Sequence, residues 1–461
     1  MTSLFSLARS RLALGTMAGF YGLGVQLLVQ LVSVPVLVHN WGVAGYGAWV
    51  MLFSVPSLLA MADLGLTTAG SNAMTAAVAQ GDRDRAARIH MALRVITALT
   101  GLILLGLAAL FIFVTNPQAL DFGGAMPQAV AQPTALLLCL YGFLALVNGV
   151  TLGAFRAADA FASSGMIYQT VILCEAAVAL GLAMLGGGPV EVAAAYLGTR
   201  LAGTLVMTFA VHRIAPWLSQ GGWSLDLAEL RALLRPALAA LVLPGAYAVA
   251  IQGSVMAIGA MAGPAAVPAF SVVRTLSRTA LQFAFRFNVA SMPRYTVHVA
   301  QSNWARASQL VVLNLALAAV LVVPAAVGLI AFGRPFIALW TGSLLVPSWS
   351  LLIAMALAML ANGAWVPLSN LVMTINRHGL FAYHFLAAAV AAVALGAVLA
   401  HSHGALGMAW ALLAMELMMI LRTWQVARQL GMLDRSELAA AAHGLIAELR
   451  ARRTSLKNRT P

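Results

Sequence analysis

The sequence predicts an all-α polytopic membrane protein of about twelve transmembrane helices, arranged as two six-helix lobes, and three observations carry that expectation. Hydrophobic residues make up 62% of the chain and charged residues only 8%, whereas a soluble globular domain carries about 25% charged residues. Arginines recur in every second connection between the apolar segments, which is the pattern of a chain threaded repeatedly through a bilayer. The third observation is an internal similarity between the two halves at an offset of 221 residues. The net charge of +13 raises the possibility of nucleic-acid binding, but the arginines are scattered between apolar runs and gathered on no domain, so no nucleic-acid partner is expected.

At the N-terminus, Arg9 and Arg11 precede an apolar run from Leu12 to Val38. That run exceeds the roughly 7–15 residues of a signal-peptide core, so it is expected to be the first span and not a leader. Windows of about 20 apolar residues place the spans near 14–38, 43–70, 90–114, 132–154, 162–185, 190–212, 234–261, 265–290, 307–332, 347–373, 379–400 and 404–428. Arg83, Arg85, Arg88 and Arg94 follow the second span, Arg156 the fourth, Arg213, Arg231 and Arg235 the sixth, Arg294 and Arg306 the eighth, and Arg377 the tenth. Of the remaining connections only the one after the ninth span carries a cation, Arg334. By the positive-inside rule both termini are cytoplasmic.

At the 221-residue offset Gly42-Val-Ala-Gly-Tyr-Gly-Ala-Trp49 faces Gly263-Pro-Ala-Ala-Val-Pro-Ala-Phe270, Ala79-Gln80 faces Ala300-Gln301, Asp82 faces Asn303, and Arg85-Ala86 faces Arg306-Ala307. Six spans separate the copies, so the repeats share one orientation, related by an axis along the membrane normal. The expected divisions are an N-terminal six-helix lobe (1–213), a cytoplasmic linker (214–235), a C-terminal six-helix lobe (236–430) and a cytoplasmic amphipathic helix with a basic tail (431–461). Pro216 and Gly221-Gly222 punctuate the linker. Asp434-Arg-Ser-Glu437 has the form of a helix start, and the arginines from Arg450 onward read as solvated positive-inside charge.

The candidate binding path lies in the eighth span, where Arg274, Arg278, Gln282 and Arg286 follow one another at steps of four and so form one slanting polar stripe on a helix. A cation at the bilayer centre costs roughly 2.5–3.5 kcal/mol on insertion scales, so such a run implies an anionic partner or a watery cavity. Pairing with acids on neighbouring helices is the structural alternative. The offset sets Phe53 and Ser57 opposite Arg274 and Arg278, so the stripe belongs to one lobe. Gln26 and Gln30 on the first span are a second step-of-four pair, suited to lining a cavity, and Asn148, Gln252, Asn362 and Asn370 add polar groups to other spans. Glu416 near the middle of the twelfth span and Glu175 in the fifth are candidate ion-coupling carboxylates. Arg200 of the sixth span is the expected partner of Glu175, while Glu416 has no evident partner of opposite sign in the sequence. Asp63 would pair with Arg88 or Arg94, or mark a kink.

Cys139 and Cys174 lie in apolar runs and read as small core residues, and His401-Ser-His403 lacks a third ligand, so no metal or cofactor is expected. No GxxxxGK[ST] or HExxH pattern is present, and the outer connections hold no pair of carboxylates of the kind a glycosyltransferase needs.

Gly45-Tyr-Gly-Ala-Trp49, then Ala62-Asp-Leu-Gly-Leu66 and the polar connection Gln80-Gly-Asp82, resemble the opening of the polysaccharide biosynthesis family, the Wzx-type flippases of the MOP superfamily. Asn376-Arg377 is similar to a loosely defined loop of that family. The resemblance implies a MATE-like pair of lobes around a central cavity, alternating access, and an undecaprenyl-pyrophosphate-linked oligosaccharide as cargo. It further implies a place in O-antigen or related polysaccharide biosynthesis at the bacterial inner membrane, beside membrane lipids and a glycan polymerase with its chain-length machinery. No covalent chemistry is expected. A MATE-like multidrug or ion antiporter is the rival within the same architecture; a membrane enzyme or a structural subunit of glycan assembly is the rival outside it.

Overall fold

The computed structural model describes residues 2–62, 64–114, 122–219, 231, 241–301, 303–373 and 379–430. Asp63, most of the 214–235 linker, Asn376-Arg377 and the tail beyond Leu430 lie outside them.

Among the described residues the regular structure is helical. In chain order it comprises α1 (Thr2–Ala62), α2 (Leu64–Ala79), α3 (Arg83–Val114), α4 (Gln128–Ala157), α5 (Phe161–Met184), α6 (Pro189–Ile214), α7 (Leu241–Ala262), α8 (Val267–Ala300), α9 (Trp304–Trp340), α10 (Trp349–Met373), α11 (Gly379–His403) and α12 (Ala405–Gln429). Ten stretches are long and apolar enough to cross a membrane. The first of them, Met17–Leu58, runs through a break at Gly42 and so holds two crossings. Helix α8 is excluded from a purely hydropathic count by its arginines, yet it is 34 residues long and continuous. With these two adjustments the crossings number about twelve, and the chain is a multi-pass membrane protein. Arg334, the one cation out of pattern, is not in a connection at all: it lies within α9.

The internal repeat is written in the backbone. Gly42 has φ 72°, ψ 172° and Gly263 has φ 83°, ψ 161°, a conformation essentially restricted to glycine. These two breaks are 221 residues apart, and each turns the chain from one crossing into the next. The copies agree again at the far end of the following crossing. Asp82 Oδ1 accepts the Arg85 backbone N–H at 2.8 Å, and Asn303 Oδ1 accepts the Arg306 N–H at 3.2 Å. Behind these N-caps, the Asp82 N–H bonds the Ala77 carbonyl at 3.0 Å and the Asn303 N–H bonds the His298 carbonyl at 2.9 Å, the 6→1 closure of a Schellman helix end. Every partner is displaced by the same offset, so a faint sequence similarity becomes a structural duplication.

By contact, the chain forms two compact units: Met1–Pro268 with Ala338–Leu345, and Ala269–Ile337 with Val346–Pro461. In the first, α4 packs against α6, α3 and α1, and α5 lies between α1 and α6. Close approach is allowed by small residues, Gly142 against Pro56, Gly101 against Phe143 and Gly203 against Val171, as is usual where apolar lipid provides no drive for helix association. Helix α7 joins this unit through Gly259 against Met51. In the second unit α10 is the central helix, and a core of Tyr295, Val311, Leu368, Leu371 and Ala427 ties α8, α9, α10 and α12 together. Asn314 donates to the Tyr295 hydroxyl at 2.9 Å inside it. Large aliphatic side chains such as Leu102, Ile103 and Leu110 remain more than half exposed, a face for lipid and not for water. Cys139 is buried, as expected; Cys174 is exposed, so it is a surface residue of α5 and not a core residue.

Candidate functional site

Each unit carries one polar cluster inside its apolar helices. In the first, Arg200 on α6 and Glu175 on α5 are 3% and 1% exposed, and meet side-on, Nε to Oε1 at 2.7 Å and Nη2 to Oε2 at 2.8 Å. Tyr141 of α4 completes the cluster: its hydroxyl donates to Glu175 Oε2 at 3.3 Å and accepts from Arg200 Nη2, while its ring lies 4.6 Å below the guanidinium carbon. Arg200 Nη1 donates to the Tyr168 hydroxyl at 3.3 Å. Phe53 and Tyr196 close the cluster with ring contacts of 5.6–5.8 Å to one another and to Tyr141. The expected Glu175–Arg200 pair is therefore present. Its charges are matched and its donors largely used, the condition under which a buried ion pair is tolerated.

The second cluster holds Glu416 of α12. Asn362 of α10 donates its amide to both carboxylate oxygens, at 3.1 and 3.0 Å, and Trp365, one turn on, donates its indole N–H to Oε2 at 2.6 Å. Trp365 is 1% exposed and is fixed by Phe385, ring to ring at 5.4 Å. Arg278 of α8 stands close enough for its charge to act on Glu416. The carboxylate that lacked an evident partner in the sequence thus has three, from two helices distant in the chain.

The stripe on α8 is continuous in register. Arg274, Arg278 and Gln282 are half-buried, and Arg274 lies 5.2 Å over the Phe270 ring. The backbone carries Arg286 two turns beyond Arg278; its side chain is outside the described set. Of the sequence-derived site residues, the structure brings together Arg278 and Glu416. Gln26 on α1 is exposed and Gln30 half-buried. Gly22, one turn before Gln26, packs against Gln169, and Tyr21 shares a 2.9 Å hydrogen bond with Thr170, so α1 meets α5 there and leaves Gln26 uncovered.

Tyr141, Trp365 and the role of Asn362 went unread in the sequence, although a signal existed. Tyr141 and Asn362 are 221 residues apart and both reach the mid-helix charge of the unit's last helix. Arg200 and Glu416 each stand eleven residues past the start of α6 and α12. The two repeats therefore place a polar centre at one position with opposite sign. Among the described residues no group of three metal-ligating side chains occurs.

No family model and no curated protein sequence matches the chain. Solved structures do. An inward-facing multidrug resistance MATE family transporter of the MOP superfamily aligns with a TM-score of 0.66 at 15% identity, over 90% of this chain and 98% of the other. The lipid II flippase MurJ, in an inward closed conformation, aligns at 0.62 and 14% identity, over 96% of this chain and 93% of that one. A MOP superfamily transporter from Pyrococcus furiosus, described by the reversed polarity of its binding pocket, aligns at 0.60 and 16% identity, over 91% and 95%. At these identities the likeness is one of architecture, and the chain has the fold of the MOP superfamily transporters.

Proposed function

We propose that this protein is a flippase that carries an undecaprenyl-pyrophosphate-linked oligosaccharide across the bacterial inner membrane for surface polysaccharide synthesis, with both termini cytoplasmic. The observation that carries the reading is the stripe of Arg274 and Arg278, half-buried on successive turns of a membrane-spanning helix. A pyrophosphate entering hydrocarbon uncompensated faces a prohibitive desolvation cost, and arginine supplies permanently charged planar donors that hold phosphate oxygens in pairs. Arg286, Gln282, Gln26 and Gln30 extend the path for phosphate and sugar. The lobes at 1–213 and 236–430 are its moving parts, and polymerase and chain-length proteins its downstream partners. Glu416, beside Arg278, is the coupling carboxylate; Glu175 is held by Arg200. No covalent bond is made or broken.

A drug or ion antiporter of MATE type is the second reading, and Glu416 is the observation that favours it, since an intramembrane carboxylate suits a cationic cargo. The basic stripe favours the anionic cargo. Reconstituted vesicles decide between them. Arg278→Ala should slow flipping of a polyprenyl-pyrophosphate glycan about ten- to hundredfold, the loss of one charge-assisted contact, with Arg278→Lys intermediate and melting temperature preserved. If Arg278→Ala instead lowers the melting temperature, and adding Glu416→Gln restores it, Arg278 serves the fold. Normal flipping in Arg274→Ala/Arg278→Ala removes the anionic path.

A further inference from the structure

A groove of about 240 Å³ opens between α3 and α4, lined by Met91, Val95 and Ala98 of α3, Val147 and Val150 of α4, and Arg94 at its edge. Helix α3 has 32 residues, which makes it about 48 Å long at 1.5 Å per residue, well beyond a hydrocarbon core of about 30 Å. Its last 20 residues, Val95 to Val114, contain no charge and match that thickness. Arg94 is thus the last cation before the hydrocarbon, at the level where lipid phosphates lie, and its exposed side chain can reach toward the interface. Among the described residues it has no carboxylate partner, its electrostatic neighbour being His90 one turn earlier.

The surroundings identify the source of the ligand. Arg94, Ala98 and Leu102 follow at steps of four, and Leu99, Leu102 and Ile103 just beyond the groove are 54–62% exposed, so this face of α3 meets lipid. The occupant comes from the bilayer, presents an anion at the depth of Arg94 and an aliphatic chain below it. We propose that the groove binds one anionic phospholipid, with its phosphate on the Arg94 guanidinium and an acyl chain along Ala98, Val147 and Val150. The site is independent of the flippase reading and lies at the basic end of α3, in whichever leaflet that end stands.

Native mass spectrometry of the purified full-length protein, titrated with phosphatidylglycerol, phosphatidylcholine or inorganic phosphate, tests it. The wild type should bind its first phosphatidylglycerol more tightly than phosphatidylcholine. Arg94→Ala should weaken that binding about fivefold, the contribution of one basic residue at an anionic surface, and abolish the preference, while Arg94→Lys retains most of it. Ala98→Phe, which fills the groove and keeps the charge, should weaken both lipids, and Arg83→Ala, outside the groove, should change neither. An unaltered preference in Arg94→Ala, an equal loss in Arg83→Ala, or displacement of the lipid by millimolar inorganic phosphate each overturns the proposal. Should Arg94→Ala fail to fold, unchanged lipid affinity in Ala98→Phe overturns it alone.

Discussion

The indole N–H of Trp340 donates to the backbone carbonyl of Leu31 at 2.8 Å, and that carbonyl is the one Pro35 deprives of its helical donor. Residue 35 would normally bond the carbonyl four residues back, and proline has no N–H to offer. The tryptophan at the end of α9 therefore supplies from outside the bond that α1 lacks within. Trp340→Phe, which keeps the ring and loses the N–H, should destabilise the protein by about 1 kcal/mol. In a Pro35→Ala background the helix makes its own bond, and the same substitution should cost little. A double-mutant cycle on thermal unfolding reads this directly; equal losses in both backgrounds would show that the indole N–H does nothing for α1.

The repeat supports a second expectation. Asp82 and Asn303 cap equivalent helices by the same bond, so Asp82→Ala and Asn303→Ala should each cost about 1 kcal/mol. Serine at either position should recover most of it. Melting curves of the four variants check this, and a loss at one site with none at the other would mean that the equivalence is geometric without being energetic.

Much of this architecture is visible in the residues because membrane insertion and helix termination are local matters. Apolar runs of spanning length, glycines at 42 and 263, and the Asp82 and Asn303 caps are read along the chain without knowing what packs on them. Arg334 misled because helix extent is a tertiary outcome: α9 continues through Pro335 to Trp340, and a cation near its end resembles one in a connection. The partners of Glu416 were hidden for a different reason. Asn362 and Trp365 lie more than 50 residues away on a helix whose packing no local pattern specifies. Cys174 was misplaced because an apolar neighbourhood signals burial in water-soluble proteins, whereas in a membrane it equally signals lipid.

The Glu175–Arg200 pair should behave as a structural unit. Removing one charge leaves the other buried at 1–3% exposure, and Glu175→Gln or Arg200→Met should destabilise by about 3–5 kcal/mol. Glu175→Gln/Arg200→Gln should cost less than the sum of its single changes, because no charge is then stranded. Thermal unfolding in detergent tests the non-additivity. Additive losses would separate the two residues energetically despite their 2.7 Å contact.

Glu416 invites the opposite expectation, since its hydrogen bonds can survive the loss of its charge. Glutamine at 416 retains an oxygen that accepts the Trp365 indole N–H and one Asn362 amide proton, so Glu416→Gln should fold with an unchanged melting temperature. Leucine at 416 strands both buried donors, each at a cost of about 1–3 kcal/mol, and should unfold earlier. Function should divide the other way. If Glu416 links proton movement to a cargo anion held by Arg278, both Gln and Leu abolish the difference in flipping between energised and unenergised vesicles, while Gln alone keeps the downhill rate. A purely structural carboxylate gives gradient-dependent transport in Glu416→Gln together with a lowered melting temperature from the unbalanced Arg278 charge. Transport with and without an imposed proton gradient, measured beside melting temperature on the same three proteins, distinguishes coupling from scaffolding at this position.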